Sequence, residues 1–125
     1  MEPFEECQFA RLLADGTPVV RLHGVEREVE IDGINVPQPP PPLYVELFER
    51  RLLRLGKPLR CIIRDRLSTG RIRAKFFYFG WHDKSGDVWL DLALALLDEG
   101  VVRVAVRQFP EREEYLLHEP KASGN

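Results

Sequence analysis

The chain has 125 residues, with 18 Lys and Arg against 20 Asp and Glu, a formal net charge of −2 at pH 7 and two cysteines. That length suits a single domain, residues 1–125, whose core is large enough to fold without disulfides or a structural metal. The near balance of charge excludes a whole-molecule field that draws polyanions, and the isolated Cys7 and Cys61 exclude both a CxxC knuckle and a disulfide framework.

The two thiols are expected to be free and buried. No basic-then-apolar leader opens the sequence and no apolar run is long enough to cross a bilayer, so a soluble cytoplasmic protein with no membrane partner is expected.

In chain order, Phe4 to Leu13 reads as an irregular first strand ending at the turn dipeptide Asp15-Gly16. Thr17 to Leu22 is a second short strand, with Pro18 near its start where a missing amide donor is tolerated, and His23-Gly24 turns the chain again. In the third, Val29 and Ile31 alternate with Glu28, Glu30 and Asp32, the period of a half-buried strand, until Pro37 removes the chain from any ladder. Gln38 and Pro39 to Pro42 favour an extended polyproline conformation, read either as a rigid bridge into a helix or as a ligand for a proline-reading domain. Leu43 to Leu55 has helical periodicity, with Tyr44, Leu47, Phe48 and Leu52 apolar and Gly56 as C-terminal cap. Pro58 to Asp65 and Arg71 to Phe79 are the fourth and fifth strands. Asp87 is a plausible N-cap for a buried helix over Val88 to Leu97 ended by Gly100, and Pro110 to Leu117 starts a last helix.

The stretch Gly33-Ile34-Asn35-Val36-Pro37-Gln38 resembles the glycine-aliphatic-aspartate-threonine-proline-glutamate signature of the staphylococcal nuclease-like (thermonuclease) family. The resemblance covers roughly Leu12 to the C-terminus. It implies a mainly β fold with helices, a five-stranded OB barrel in which three strands, a helix, two strands and then helices follow one another. In that family the aspartate and threonine help hold calcium, the glutamate is the base that activates water, and an arginine five residues before the aspartate grips phosphate. Those places hold Asn35, Val36, Gln38 and Glu30. A further metal-binding aspartate of the first hairpin falls in Asp15-Gly16-Thr17, which is one residue short and lacks the second acid. Gly70-Arg71 matches the step that carries the family's second catalytic arginine, so Arg71 is the one catalytic position the resemblance retains.

Calcium takes six or more oxygen ligands and an amide has no basic site near neutral pH, so neither metal nor general base is expected in this chain. Alternation places Arg71, Arg73 and Lys75 on one face of the fifth strand, and pairing of the third and fifth strands sets Glu28, Glu30 and Asp32 opposite them. Such exposed pairs are worth only ~0.2–1 kcal/mol each, yet they cancel the potential that three free cations would offer a phosphate backbone.

The expectation is therefore a nuclease-like domain that has lost its activity and binds nucleic acid or protein through Asn35, Gln38, Arg71, Arg73 and Lys75, with no cofactor. The rival is a weak metal-dependent phosphodiesterase working through Arg71 with calcium on Asp15 or Asp32. His23, His82 and His118 have no ligand spacing. Trp81, Trp89 and Phe76 to Phe79 either stack bases or pack the core.

Overall fold

The computed structural model describes residues 4–53 and 58–119. The first three strands form an antiparallel meander: β1 (Glu5–Leu12), β2 (Pro18–Leu22) and β3 (Val25–Ile31). His23 and Gly24, at φ 52° and 78°, make the two-residue link of the β2–β3 hairpin, where both residues must adopt the left-handed region to match the strand twist. Then come β4 (Ile34–Asn35), α1 (Pro42–Leu47), β5 (Leu59–Arg66), β6 (Ile72–Asp83), β7 (Gly86–Asp91), α2 (Leu92–Asp98), β8 (Arg103–Val104) and α3 (Arg112–His118).

The molecule is mainly β, with a six-stranded sheet in the order β3-β2-β1-β5-β6-β7 and a second, two-stranded pairing of β4 with β8. In addition β3 runs parallel to β6, with Val29 opposite Ile72, Glu30 opposite Arg73 and Ile31 opposite Ala74. Hence β1, β2, β3, β5 and β6 each have a hydrogen-bonded neighbour on both edges. Period-two alternation sends Cys7, Phe9, Val20, Leu22, Val29, Ile31, Leu59, Cys61, Ile72, Ala74 and Phe76 to one buried cluster. Leu92, Ala93, Leu96 and Leu97 of α2 close that cluster from one side.

Pro41 caps α1 and Pro42 occupies its first turn, where the missing amide donor is harmless, so the proline run leads directly into the helix. The helix continues as a π-helical turn, Phe48–Leu53. Tyr44, Phe48 and Leu52 face the core at helical spacing, with the Tyr44 and Phe48 rings 4.8 Å apart. The expected cap Gly56 and the expected last apolar residue Leu55 lie outside the described residues.

One element differs in kind from expectation. The helix expected over Val88 to Leu97 is a strand as far as Asp91, paired along β6 from Asp83↔Gly86 to Phe77↔Asp91. Val88 and Trp89 suit a pleated surface, and β6 offers a free edge for them. The helix begins only at Leu92, with Asp91 and not Asp87 as its N-cap, its carboxylate accepting from the amides of Ala93 at 2.9 Å and Leu94 at 3.3 Å. Asp87 instead meets His82 at 2.8 Å across the β6–β7 hairpin. Among the described residues no helix is long and apolar enough to cross a membrane.

Candidate functional site

A cleft of about 220 Å³ opens between the β1–β2 turn, β3 and the segment after β4, lined among others by Asp15, Thr17, Glu30, Asn35, Val36, Gln38, Tyr44 and Arg71. All the expected family positions therefore meet in one place. Arg73 and Lys75 do not line it.

Several polar groups of the cleft already have partners. Arg71 donates from Nε to Glu28 at 3.1 Å and lies 3.8 Å from the Asp15 carboxylate. Gln38 donates from Nε2 to the carbonyl of Asp15 at 2.8 Å and, more weakly, to that of Val36 at 3.4 Å. The amide thus ties the proline loop to the β1–β2 turn and presents no base to the cleft. Tyr44 donates to the Gly16 carbonyl at 2.6 Å, and burial pushes its phenol up, so it acts as a fixed donor. Asp15 accepts from the Thr17 amide at 2.9 Å; hydrogen bonding from Thr17, with a smaller contribution from Arg71, holds its carboxyl below the usual range.

These residues do not fit a calcium ion. Val36 offers no side-chain oxygen, Asn35 only a neutral amide, and Glu30 is drawn to Arg73 at 3.3 Å. Among the described residues, no three His, Cys, Asp or Glu side chains converge as a metal-holding group.

The ladder between the third and fifth strands forms in two rungs of three. Glu28 meets Arg71 and Glu30 meets Arg73, which also approaches Asp65 at 3.7 Å. The third rung does not form: the Asp32 carboxylate pairs with Arg64 and Arg107, not with Lys75. The strand ends at Ile31, and Gly33, at φ 91°, turns the chain through the left-handed region. Asp32 is buried, 4% exposed, and held by Arg64 at 3.3 Å and by Arg107. It takes no part in the cleft, so its expected role as a substitute metal ligand is removed. Lys75 lies 3.2 Å from Glu111 and 3.4 Å from Asp91. Arg64 also grips Glu111 through both nitrogens, at 3.2 and 2.9 Å, and Tyr115 donates to Asp91 at 2.8 Å.

This partly buried network joins β5, β6 and the cap of α2 to α3, and sequence reading missed it. Its partners are far apart along the chain, 47 residues for Arg64 and Glu111 and 75 for Asp32 and Arg107, so no local pattern could announce them. For Glu111, burial alone raises the carboxyl, but the hydrogen bond from Arg64 and the charge of Lys75 outweigh it and hold the group below its ordinary value.

Alternation divides the aromatics. Phe76 is in the core, whereas Phe77, Phe79 and Trp89 are half-buried on the outer face, where the Phe79 and Trp89 rings meet edge to face and Arg60 lies 4.2 Å over Trp89. Trp81 is half exposed. His23, His82 and His118 are each bound to a different carboxylate, those of Glu5, Asp87 and Asp98. They share no site. The sequence matches no family model and no curated protein.

Proposed function

We propose that the chain is an OB-type domain related to the staphylococcal nuclease-like family, whose cleft binds a partner and does not hydrolyse it. Support for the fold comes from the ring of pairings β1-β2-β3-β6-β5, the parallel β3–β6 contact and the helix between β3 and β5, the arrangement of an OB barrel. The carrying observation for function is that Arg71 is paired with Glu28 and Asp15 while Gln38 is spent on two backbone carbonyls. Without a base, hydrolysis forgoes a factor of typically ~10²–10⁴, and without a metal it forgoes a Lewis acid as well.

A protein segment is the partner this cleft favours over nucleic acid. Each of Arg71, Arg73 and Lys75 already has carboxylate partners, so few counterions are displaced when a phosphate backbone approaches. The cleft instead offers the neutral amide of Asn35 beside Val29, Ile34 and Val36.

Incubation with single-stranded DNA and RNA, with and without calcium, tests this reading. No fragmentation is expected in either condition. Calcium-dependent fragments that vanish in Arg71→Ala would establish the rival, a phosphodiesterase using Asp15 and Arg71. A second measurement tests the charge argument. Glu28→Gln with Glu30→Gln frees the two arginines and is expected to strengthen DNA binding, steepening the slope of log affinity against log salt by roughly one to two. Tight, steeply salt-dependent DNA binding by the unmodified chain would make nucleic acid the partner.

A further inference from the structure

Strand β5 pairs with β6 no further than Arg60↔Phe77, whereas β6 runs on to Asp83 with β7 beside it. Between this overhanging β6–β7 hairpin and the π-helical turn Phe48–Leu53 lies a groove of about 230 Å³, which shares no residue with the cleft that holds Asp15 and Gln38. Its walls are mostly apolar, with Leu52, Leu59, Leu90 and the rings of Tyr78 and Trp81 among them, and Trp81 is half exposed. Arg51 is the single charged residue of the lining, which contains no carboxylate. Arg51 and Tyr78 also line a smaller apolar cavity against α2, so guanidinium and phenol stand where the two spaces meet. The one ion pair of Arg51 among the described residues, with Glu99, is long at 3.8 Å and open to solvent, and such a pair holds weakly. The Tyr78 hydroxyl has no hydrogen-bond partner among the described residues, and burial raises its phenol, so it stays a donor.

We propose that this groove is a binding site for a small anionic amphiphile, a carboxylate carried on an alkyl chain or a single ring. Arg51 grips the carboxylate with two nitrogens, the planar pairing that a guanidinium fork favours, and Tyr78 donates a hydrogen bond to it. The tail lies along Leu52, Leu59 and Leu90 and is covered by Trp81. Apolar walls with a few converging polar donors are the general build of small-molecule sites. Size limits the ligand: the groove is smaller than the ~300–1,000 Å³ of sites for drug-sized molecules, so a medium-length chain fits and a long-chain lipid does not. Charge limits it too, because an ammonium head would meet Arg51 with no acid in the groove to offset the repulsion. Glu99 lines only the smaller cavity, and the ligand's carboxylate takes its place on Arg51.

Octanoate titrated into the full chain tests the site, read by tryptophan emission and by NMR shifts of backbone amides and indoles. Saturable binding is expected, with emission moving to the blue as the tail covers Trp81 and with shifts at Tyr78, Trp81 and Leu90. Arg51→Gln should weaken octanoate about tenfold, the loss of a charge-assisted bond, and leave octanol unchanged. Arg51 is 57% exposed, so the change leaves the core intact. Arg50→Gln, at a residue bound to Glu46 and outside the lining, should alter neither ligand. Tyr78→Phe should weaken octanoate in the same sense as Arg51→Gln, and octylamine should bind the unsubstituted chain more weakly than octanol. The proposal is overturned by the absence of saturable binding, by equal octanoate affinity in the unsubstituted chain and Arg51→Gln, by octylamine binding as tightly as octanoate, or by shifts confined to the Asp15 and Gln38 cleft.

Discussion

Arg64→Leu is expected to destabilise the fold by ~3 kcal/mol. Arg64 is one of the few cations with little access to water, its side chain 14% exposed, and it serves two carboxylates at once: Glu111 by a two-nitrogen grip and Asp32 by a single bond. Leucine fills much of the same volume, so the loss comes from electrostatics rather than from a cavity. Asp32 keeps Arg107 and Glu111 keeps Lys75, and the cost accordingly falls at the lower end of what breaking a buried pair brings. The double variant Arg64→Leu/Glu111→Leu should lose less than the sum of the two single variants, because each single change strands a charge that the double removes.

The pH dependence follows from the same contacts. A carboxyl held below its ordinary value in the folded state adds stability that is present above its unfolded-state value and is lost as the pH falls through the folded one. Glu111 is such a group, so urea midpoints of the unmodified chain should fall on the acid side of the ordinary carboxylate range. In Arg64→Leu that acid limb should be flatter, since the hydrogen bond that lowers Glu111 is gone. An unchanged midpoint at neutral pH together with an unchanged acid limb would mean that the network contributes nothing to holding α3 on the sheet.

How much of this was legible in the sequence depended on the distance over which each feature is determined. The strands were legible because alternation such as Val29 and Ile31 against Glu28 and Glu30 is a local rule, and because Gly16, Gly24 and Gly70 mark turns where φ is positive. The cleft was legible because most of its residues fall in short stretches, the β1–β2 turn, Val29 to Ile31 and the segment after Gly33, joined by Tyr44 and Arg71. Strand β7 was not, since Val88-Trp89-Leu90 runs into Leu92 to Leu97 with no polar break except Asp91, and a short apolar run fits strand and helix alike. Asp87 and Asp91 were equivalent caps by residue type. What separates them is the edge of β6, which pairs residues 86–91 and leaves Asp91, the last paired position, to cap the helix. Asp32 was given the wrong partner because those it has, Arg64 and Arg107, lie 32 and 75 residues along the chain.

Gly33→Ala is the other substitution from which a large loss is expected, about 2–5 kcal/mol, and two separate effects combine in it. The first is conformational: at φ 91° a side chain is strained whatever space surrounds it. The second is steric, because a β-carbon here would stand 2.6 Å from the Phe109 ring and 2.8 Å from that of Tyr115. Neither ring can give way easily. Tyr115 is 1% exposed, its hydroxyl is bound to Asp91, and the Phe109 ring packs against it at 5.5 Å. Gly24→Ala separates the two effects, since Gly24 has φ 78° but nothing within 4 Å of an added β-carbon. That variant should lose only the strain, on the order of 1 kcal/mol. The difference between the two then measures how tightly α3 packs on the turn after β3. Because Gly33 separates the buried Asp32 from Asn35 and Gln38 in the cleft, a chain displaced at Gly33 shifts both. Ligand affinity at the cleft should therefore fall in Gly33→Ala and stay level in Gly24→Ala. Equal losses of stability in the two variants would place Phe109 and Tyr115 away from this turn and uncouple the cleft from the C-terminal helix.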